Sequence, residues 1–217
     1  MKQKILIVSI IVLAIVLTFV TITSNKRISK LEDHHKPVEY SYALDCIREA
    51  ELKYWETKST LTDEVQQYIL SIAPTSNLRG YAIVEECERY NIDIIFTLVQ
   101  GEIESHFGTK GLGAKINNVF NVGVFDNKTI AEIDKKYKPE HPNASINLYL
   151  DLLTDSYLVG KDEFELMNKY VDKNGKRYAS NPDYEEMFKY KYNTIENSTN
   201  IKQLQGEMKN YALKCNR

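Results

Sequence analysis

The sequence predicts an α+β protein that is mainly α-helical, with a small β lobe in its middle and a single membrane-spanning helix at its N-terminus. Three observations predict it. Apolar residues recur at helical spacing in successive segments from Tyr40 onward. One short stretch, Val119 to Phe125, alternates apolar with small or polar residues and is followed by the turn pair Asp126-Asn127. The stretch Ile5 to Asn25 carries no charge and is almost entirely Ile, Leu, Val, Ala and Phe.

That apolar stretch has 21 residues, which as a helix reach roughly 30 Å, the thickness of the bilayer hydrocarbon. A cleavable leader would have a shorter apolar region and small residues at its end, and Thr21-Ile22-Thr23-Ser24 offers only a weak version of that, so a retained anchor is expected over residues 1–25. Residues 26–58 read as a polar tether and a first helix, and residues 59–217 as one compact domain. The first helix is Tyr40 to Thr57, which has helical spacing; in the domain, Thr62-Asp63-Glu64 starts a second helix that Pro74 stops, and Ser76-Asn77 caps a third. A fourth runs from Ile92-Asp93 to about Phe107, where Gly108, Gly111 and Gly113 end it. Helical spacing resumes at Ile146, Tyr149, Leu150, Leu153 and Leu158, again after Asn181-Pro182, and in a last polar helix from about Ile201 to Leu213.

Composition excludes several classes. With 28 Lys and Arg against 30 Asp and Glu, the net charge is −2, so no basic field exists to hold nucleic acid. Three cysteines, Cys46, Cys87 and Cys215, are an odd number without metal-ligand spacing, which indicates neither a disulfide scaffold nor a zinc site. His34-His35 lies in a charged tether, and adjacent positions do not face one ligand sphere, so no metal is expected there. The 15 tyrosines can serve either sugar stacking or packing.

The fourth helix is the candidate for chemistry. At about 100° per residue, Asp93, Thr97, Gln100, Gly101 and Glu104 share a polar or small stripe, while Ile94, Ile95, Phe96, Leu98, Val99 and Ile103 fill most of the opposite arc. Such a helix is mostly buried and exposes one strip, suited to the wall of a cleft. Glu104 ends the strip beside the helix C-terminus, where unpaired carbonyls disfavour ionisation of a carboxyl and so suit a general acid. Glu102 points to the opposite side, so the residues alone leave two glutamates and one cleft.

The segment Gln100-Gly101-Glu102-Ile103-Glu104-Ser105-His106-Phe107-Gly108, followed by Asn117-Asn118-Val119-Phe120-Asn121-Val122-Gly123, resembles the glucosaminidase family of peptidoglycan hydrolases, glycoside hydrolase family 73. Arg177-Tyr178-Ala179-Ser180-Asn181-Pro182-Asp183-Tyr184 resembles the family's tyrosine-containing segment, in the same order along the chain. The likeness covers roughly Val65 to Tyr192. It implies a lysozyme-like fold, Glu104 as catalytic acid, and Asn118, Phe120 and Tyr178 at the sugar cleft, although each of the last three also suits a turn or a core. His106 stands where the family often has glycine. The second carboxylate departs from the pattern: Asp126, at the apparent hairpin turn, is the first candidate and Glu132 the second.

The resemblance implies an enzyme without cofactor or metal that cleaves the β-1,4 bond after N-acetylglucosamine in peptidoglycan. A muramidase or lytic transglycosylase on the same fold, or a non-catalytic glycan-binding module, are the alternatives. Expected partners are glycan strands and, through the apolar helix, the membrane, with the domain on the extracytoplasmic side and no nucleic acid.

Overall fold

A computed structural model describes residues 37–125 and 128–215, so the apolar stretch Ile5–Asn25, the pair His34-His35 and Asp126 lie outside the described residues. The described residues up to Glu49 form a unit of their own, and those from Ala50 onward form a second, compact one. Eight α-helices are described: α1 Pro37–Ile72, α2 Gly80–Tyr90, α3 Ile94–Ser105, α4 Gly111–Lys115, α5 Ala144–Leu152, α6 Glu163–Asn168, α7 Tyr184–Ser198 and α8 Ile201–Cys215. Helix α5 runs on into a π-helical turn, Leu153–Tyr157.

The expected start of a helix at Thr62-Asp63-Glu64 falls inside α1, which is continuous there. Leu61, Val65, Ile69 and Ala73 recur every four residues and are all buried, so the apolar stripe carries the helix through the cap-like triplet. Helix α2 lies close against it. A Cβ on Gly80 would stand 2.7 Å from both the Gln66 nitrogen and the Thr62 carbonyl oxygen, a backbone approach that only glycine permits.

Helix α3 is the core element, packed against α2, α4, α7 and α8. Ile94, Ile95, Phe96, Leu98 and Val99 are fully buried, each worth about 1.5–3 kcal/mol of apolar transfer. Its first turn is capped twice. Asp93 accepts from the Phe96 N–H at 3.2 Å, and the buried Gln205 side chain of α8 accepts from the Ile94 N–H at 3.1 Å while donating to the Ile92 carbonyl at 2.9 Å. At its other end His106 enters the left-handed region (φ 51°), and its N–H closes on the Glu102 and Gly101 carbonyls.

The β lobe is a correction. Among the described residues there is no strand, and the one bridge, Val171 with Arg177, is isolated. The segment from Asn117 to Val124 is a series of turns, with Asn121 N–H donating to the Asn118 carbonyl at 3.2 Å and Val124 N–H to the Asn121 carbonyl at 3.0 Å. Two features defeat a hairpin. Val119 and Phe120 are both fully buried, so the pattern is not a two-residue alternation, and Asn117, Asn121 and Gly123 have positive φ, which breaks an extended chain.

The membrane helix is corrected too. Among the described residues no helix is long and apolar enough to cross a membrane. The expected single-pass localisation therefore has no spanning helix among the described residues to support it.

Candidate active site

Glu104 sits in the last turn of α3, half-buried. Its Oε1 accepts from the Tyr184 hydroxyl at 2.9 Å and from Gln100 Nε2 at 3.2 Å, and its Oε2 accepts from Asn121 Nδ2 at 3.3 Å. Three donors from α3, α7 and the turn after Phe120 thus hold one carboxylate in one rotamer.

Behind it lies a chain of buried phenols. Gln100 Nε2 also donates to the Tyr184 oxygen at 2.8 Å, and Gln100 Oε1 accepts from the Tyr170 hydroxyl at 3.0 Å. Tyr170 and Tyr149 share a hydrogen bond of 3.1 Å between their hydroxyls. The Glu104 carboxylate only accepts, so the Gln100 NH₂ is the end turned toward it, and Gln100 Oε1 is left to accept from Tyr170. Burial pushes the phenols of Tyr149, Tyr170, Tyr178 and Tyr184 well above the ordinary tyrosine value, and the Glu104 charge adds to this for the last three. They are hydrogen-bond donors, not charges, at neutral pH.

Asn118 is fully buried and holds the turn segment together. Its Nδ2 donates to the Val122 and Tyr137 carbonyls, both at 2.9 Å, and its Oδ1 accepts from the Val122 N–H at 3.1 Å. Phe120 is fully buried and stacks on Tyr149, with ring centroids 4.6 Å apart and planes 10° from parallel. Tyr178 is half-buried, donates to the Phe120 carbonyl at 2.9 Å, and stacks on Tyr184 at 6.1 Å between centroids. The structure therefore brings Glu104, Phe120 and Tyr178 into one cluster through Tyr184 and Tyr149, with Asn118 bracing the turn that carries Asn121.

The other acids stand elsewhere. Glu132 is exposed and closes a capping box with Thr129, whose N–H and hydroxyl each donate to its Oε2 at 2.7 Å. The Thr129 bonds hold its carboxyl below the usual glutamate value. Glu102 faces away from Glu104: its Oε2 accepts from the Tyr68 hydroxyl at 2.6 Å, and its Oε1 is ion-paired with Lys191. Among the described residues no group of three or more His, Cys, Asp and Glu is placed to hold a metal ion.

The polar stripe of α3 differs from its expected role. Thr97, Gln100 and Gly101 are buried rather than lining an open cleft, and only the ends of the stripe, Asp93 and Glu104, are partly exposed. Gly101 makes room for aromatic rings, since a Cβ there would meet Phe107 and Phe120 at 3.3 Å. Three contributors were not singled out from sequence as partners of Glu104: Tyr184, Gln100 and Asn121. Gln100 had a signal in its place one turn before Glu104, and Tyr184 closes the Asn181-Pro182-Asp183-Tyr184 segment. Asn121 had none, because its reach depends on a positive φ.

No curated protein and no solved structure matches the chain. A family model described as Glucosaminidase, mannosyl-glycoprotein endo-beta-N-acetylglucosaminidase, matches residues 80–212. That span is more than half of the chain and contains Glu104 with the donors Gln100, Asn121 and Tyr184. The chain belongs to the Glucosaminidase family and is a glycoside hydrolase of the endo-β-N-acetylglucosaminidase type.

Proposed function

We propose that the chain hydrolyses the β-1,4 bond after N-acetylglucosamine in peptidoglycan, with Glu104 as the general acid. The observation that carries this reading is the three-donor clamp on Glu104 at the open end of an otherwise buried helix. Tyr184 and Gln100 occupy Oε1, so Oε2, with its longer bond to Asn121, is the oxygen that carries a proton to the glycosidic oxygen. Fixing the donor's rotamer in advance removes the entropy of orienting it in the transition state. As the C–O bond breaks, the leaving sugar takes the proton, and the glycosyl carbon passes through an oxocarbenium-like state that a water molecule captures.

Asp126 is the proposed partner for that water. Glu132, the second candidate, is engaged twice by Thr129. Tyr178 and Phe120 are proposed to shape the sugar site from beneath, Tyr178 being the more exposed of the two.

Glu104→Gln is expected to abolish hydrolysis of purified cell walls and to lower the melting temperature by only a few degrees, because the amide oxygen keeps the Tyr184 and Gln100 bonds and only the 3.3 Å bond from Asn121 is lost. Mass spectrometry of borohydride-reduced digests of the unmodified protein should show reduced N-acetylglucosamine at the new ends. Full activity in Glu104→Gln would overturn the assignment of the acid. Reduced muramic acid would indicate a muramidase, anhydro-muramic products a lytic transglycosylase, and no products a non-catalytic glycan-binding module.

A further inference from the structure

A crevice of about 460 Å³ opens between α1 and α7, on a different side of α3 from Glu104. Glu102 contributes to its wall, and Glu102 and Glu104 lie about 200° apart around the helix axis. Its other wall comes from Glu64, Gln67, Tyr68, Ser71 and Ile72, all of which precede the residues matched by the family model. The crevice is thus built partly from a segment outside the matched domain. Its volume lies in the range of small-molecule sites, roughly 300–1,000 Å³.

Its chemistry is that of neutral, hydroxyl-rich recognition. Hydroxyls come from Ser71 and Tyr68 on α1 and from Tyr190, Thr194 and Ser198 on α7; those of Ser71, Thr194 and Ser198 donate to carbonyls of their own helices and that of Tyr68 to Glu102, which leaves their lone pairs to accept. Gln67 adds an amide with both donor and acceptor. Tyr190 is 73% exposed, an aromatic face on which the apolar side of a sugar ring can lie, and Ile72 offers an apolar contact of methyl size. The charged groups are already occupied. Lys191 is ion-paired with Glu102, whose other oxygen accepts from Tyr68, and Glu64 Oε1 accepts from the Asn200 N–H at 3.1 Å. The lining holds two carboxylates against one ammonium, so an acidic ligand such as a stem peptide meets a net negative wall.

We propose that this crevice is a second carbohydrate site that takes a neutral N-acetylhexosamine unit of a glycan, apart from the cleft at Glu104. The sugar hydroxyls donate to the serine and threonine oxygens and bond to the Gln67 amide, the ring lies on Tyr190, and the acetamido methyl meets Ile72. Such a site holds a polymeric substrate to the enzyme between cleavage events and raises the local concentration of bonds at the cleft.

The test uses the full chain carrying Glu104→Gln, titrated calorimetrically with N-acetylglucosamine tetramer. Adding Thr194→Trp, which fills the crevice from an exposed helix position, should remove one equivalent of binding or weaken it at least tenfold. Adding Tyr190→Ala should weaken it several-fold, each variant first shown to keep its melting temperature. Unchanged stoichiometry and affinity in both would overturn the site. Displacement or replacement of the sugar by an acidic stem peptide at the same position would overturn its ligand class. The proposal does not depend on Glu104 being the acid: tetramer cleaved by the Glu104→Gln chain appears as products in mass spectra, which refutes that reading alone.

Discussion

Asn121 Nδ2 donates to the Glu104 backbone carbonyl at 2.6 Å and reaches the same residue's Oε2 at 3.3 Å, so one amide holds both the end of α3 and its carboxylate. The amide orientation follows from the shorter bond, since the reverse would set two carbonyl oxygens against each other. Asn121 is placed by a left-handed backbone (φ 51°), a conformation that asparagine tolerates better than other side chains except glycine. Two substitutions separate backbone from side chain. Asn121→Gly keeps the left-handed turn and loses the bonds, for about 1 kcal/mol; Asn121→Ala adds the left-handed penalty, for a total of about 2–3 kcal/mol. Both should lower kcat several-fold with little change in KM, because only the orientation of Glu104 is lost. Urea denaturation beside steady-state kinetics checks this, and equal stability of the two variants would contradict the backbone part.

Glu102 supports stability through Tyr68 and Lys191. Its side chain is 9% exposed and that of Lys191 31%, so the pair lies between the surface case and the buried one. Glu102→Gln should therefore cost about 1–2 kcal/mol, less than the loss from a fully buried pair, since Lys191 can turn toward water. Restoring part of that loss with Lys191→Met in the same chain would show that the unpaired ammonium is the main cost. Chemical denaturation of the single and double variants measures it.

Much of the helical framework and the identity of Glu104 as the residue closing the polar stripe were legible, because a 3.6-residue period survives in Ile94, Ile95, Leu98 and Val99 whatever the tertiary context. The turn segment was not. Its apolar residues Val119, Phe120 and Val122 are all buried, and the positive φ values at Asn117 and Asn121 leave no mark in residue type beyond asparagine itself. The stripe was read as a cleft wall because polarity signals a polar partner, and that partner is the phenol chain of Tyr184, Tyr170 and Tyr149 rather than solvent. Distance along the chain hides such a partner: Gln100 and Tyr184 are 84 residues apart.

At Gly80 the backbone of α2 lies directly against that of α1. Gly80→Ala places a methyl 2.7 Å from the Gln66 nitrogen and the Thr62 oxygen, and neither can swing aside as a flexible side chain would. The gain in helix propensity is at most about 1 kcal/mol and smaller still at the first residue of a helix. Overpacking costs about 1–3 kcal/mol, so it prevails. The variant should be destabilised by about 1–2 kcal/mol in urea, whereas Gly206→Ala, with nothing within 4 Å of the added methyl, should be neutral or stabilising.

The buried phenols predict a steep alkaline limit. Tyr149, Tyr170, Tyr178 and Tyr184 are all held above the ordinary tyrosine value by burial. In the unfolded chain they ionise near pH 10. Above that pH the folded state binds more protons than the unfolded one, so stability is complete below pH 10 and falls as pH rises. Each such group contributes roughly 1.4 kcal/mol per pH unit, and four contribute roughly 5.6. The Cys87 thiol acts in the same direction, pushed by burial from 9.0 up to about 12. Against a typical stability of about 5–15 kcal/mol, cooperative unfolding is expected between about pH 11 and 12. Tyrosinate absorbance near 295 nm should then show a late component that rises together with the loss of helical circular dichroism. Tyr170→Phe should reduce the pH slope of stability by roughly 1.4 kcal/mol per pH unit, a readout separate from the bond it removes from Gln100. Titration of all the tyrosines with the helices intact would mean that the phenol chain is open to solvent, contrary to the buried network that orients Gln100 toward Glu104.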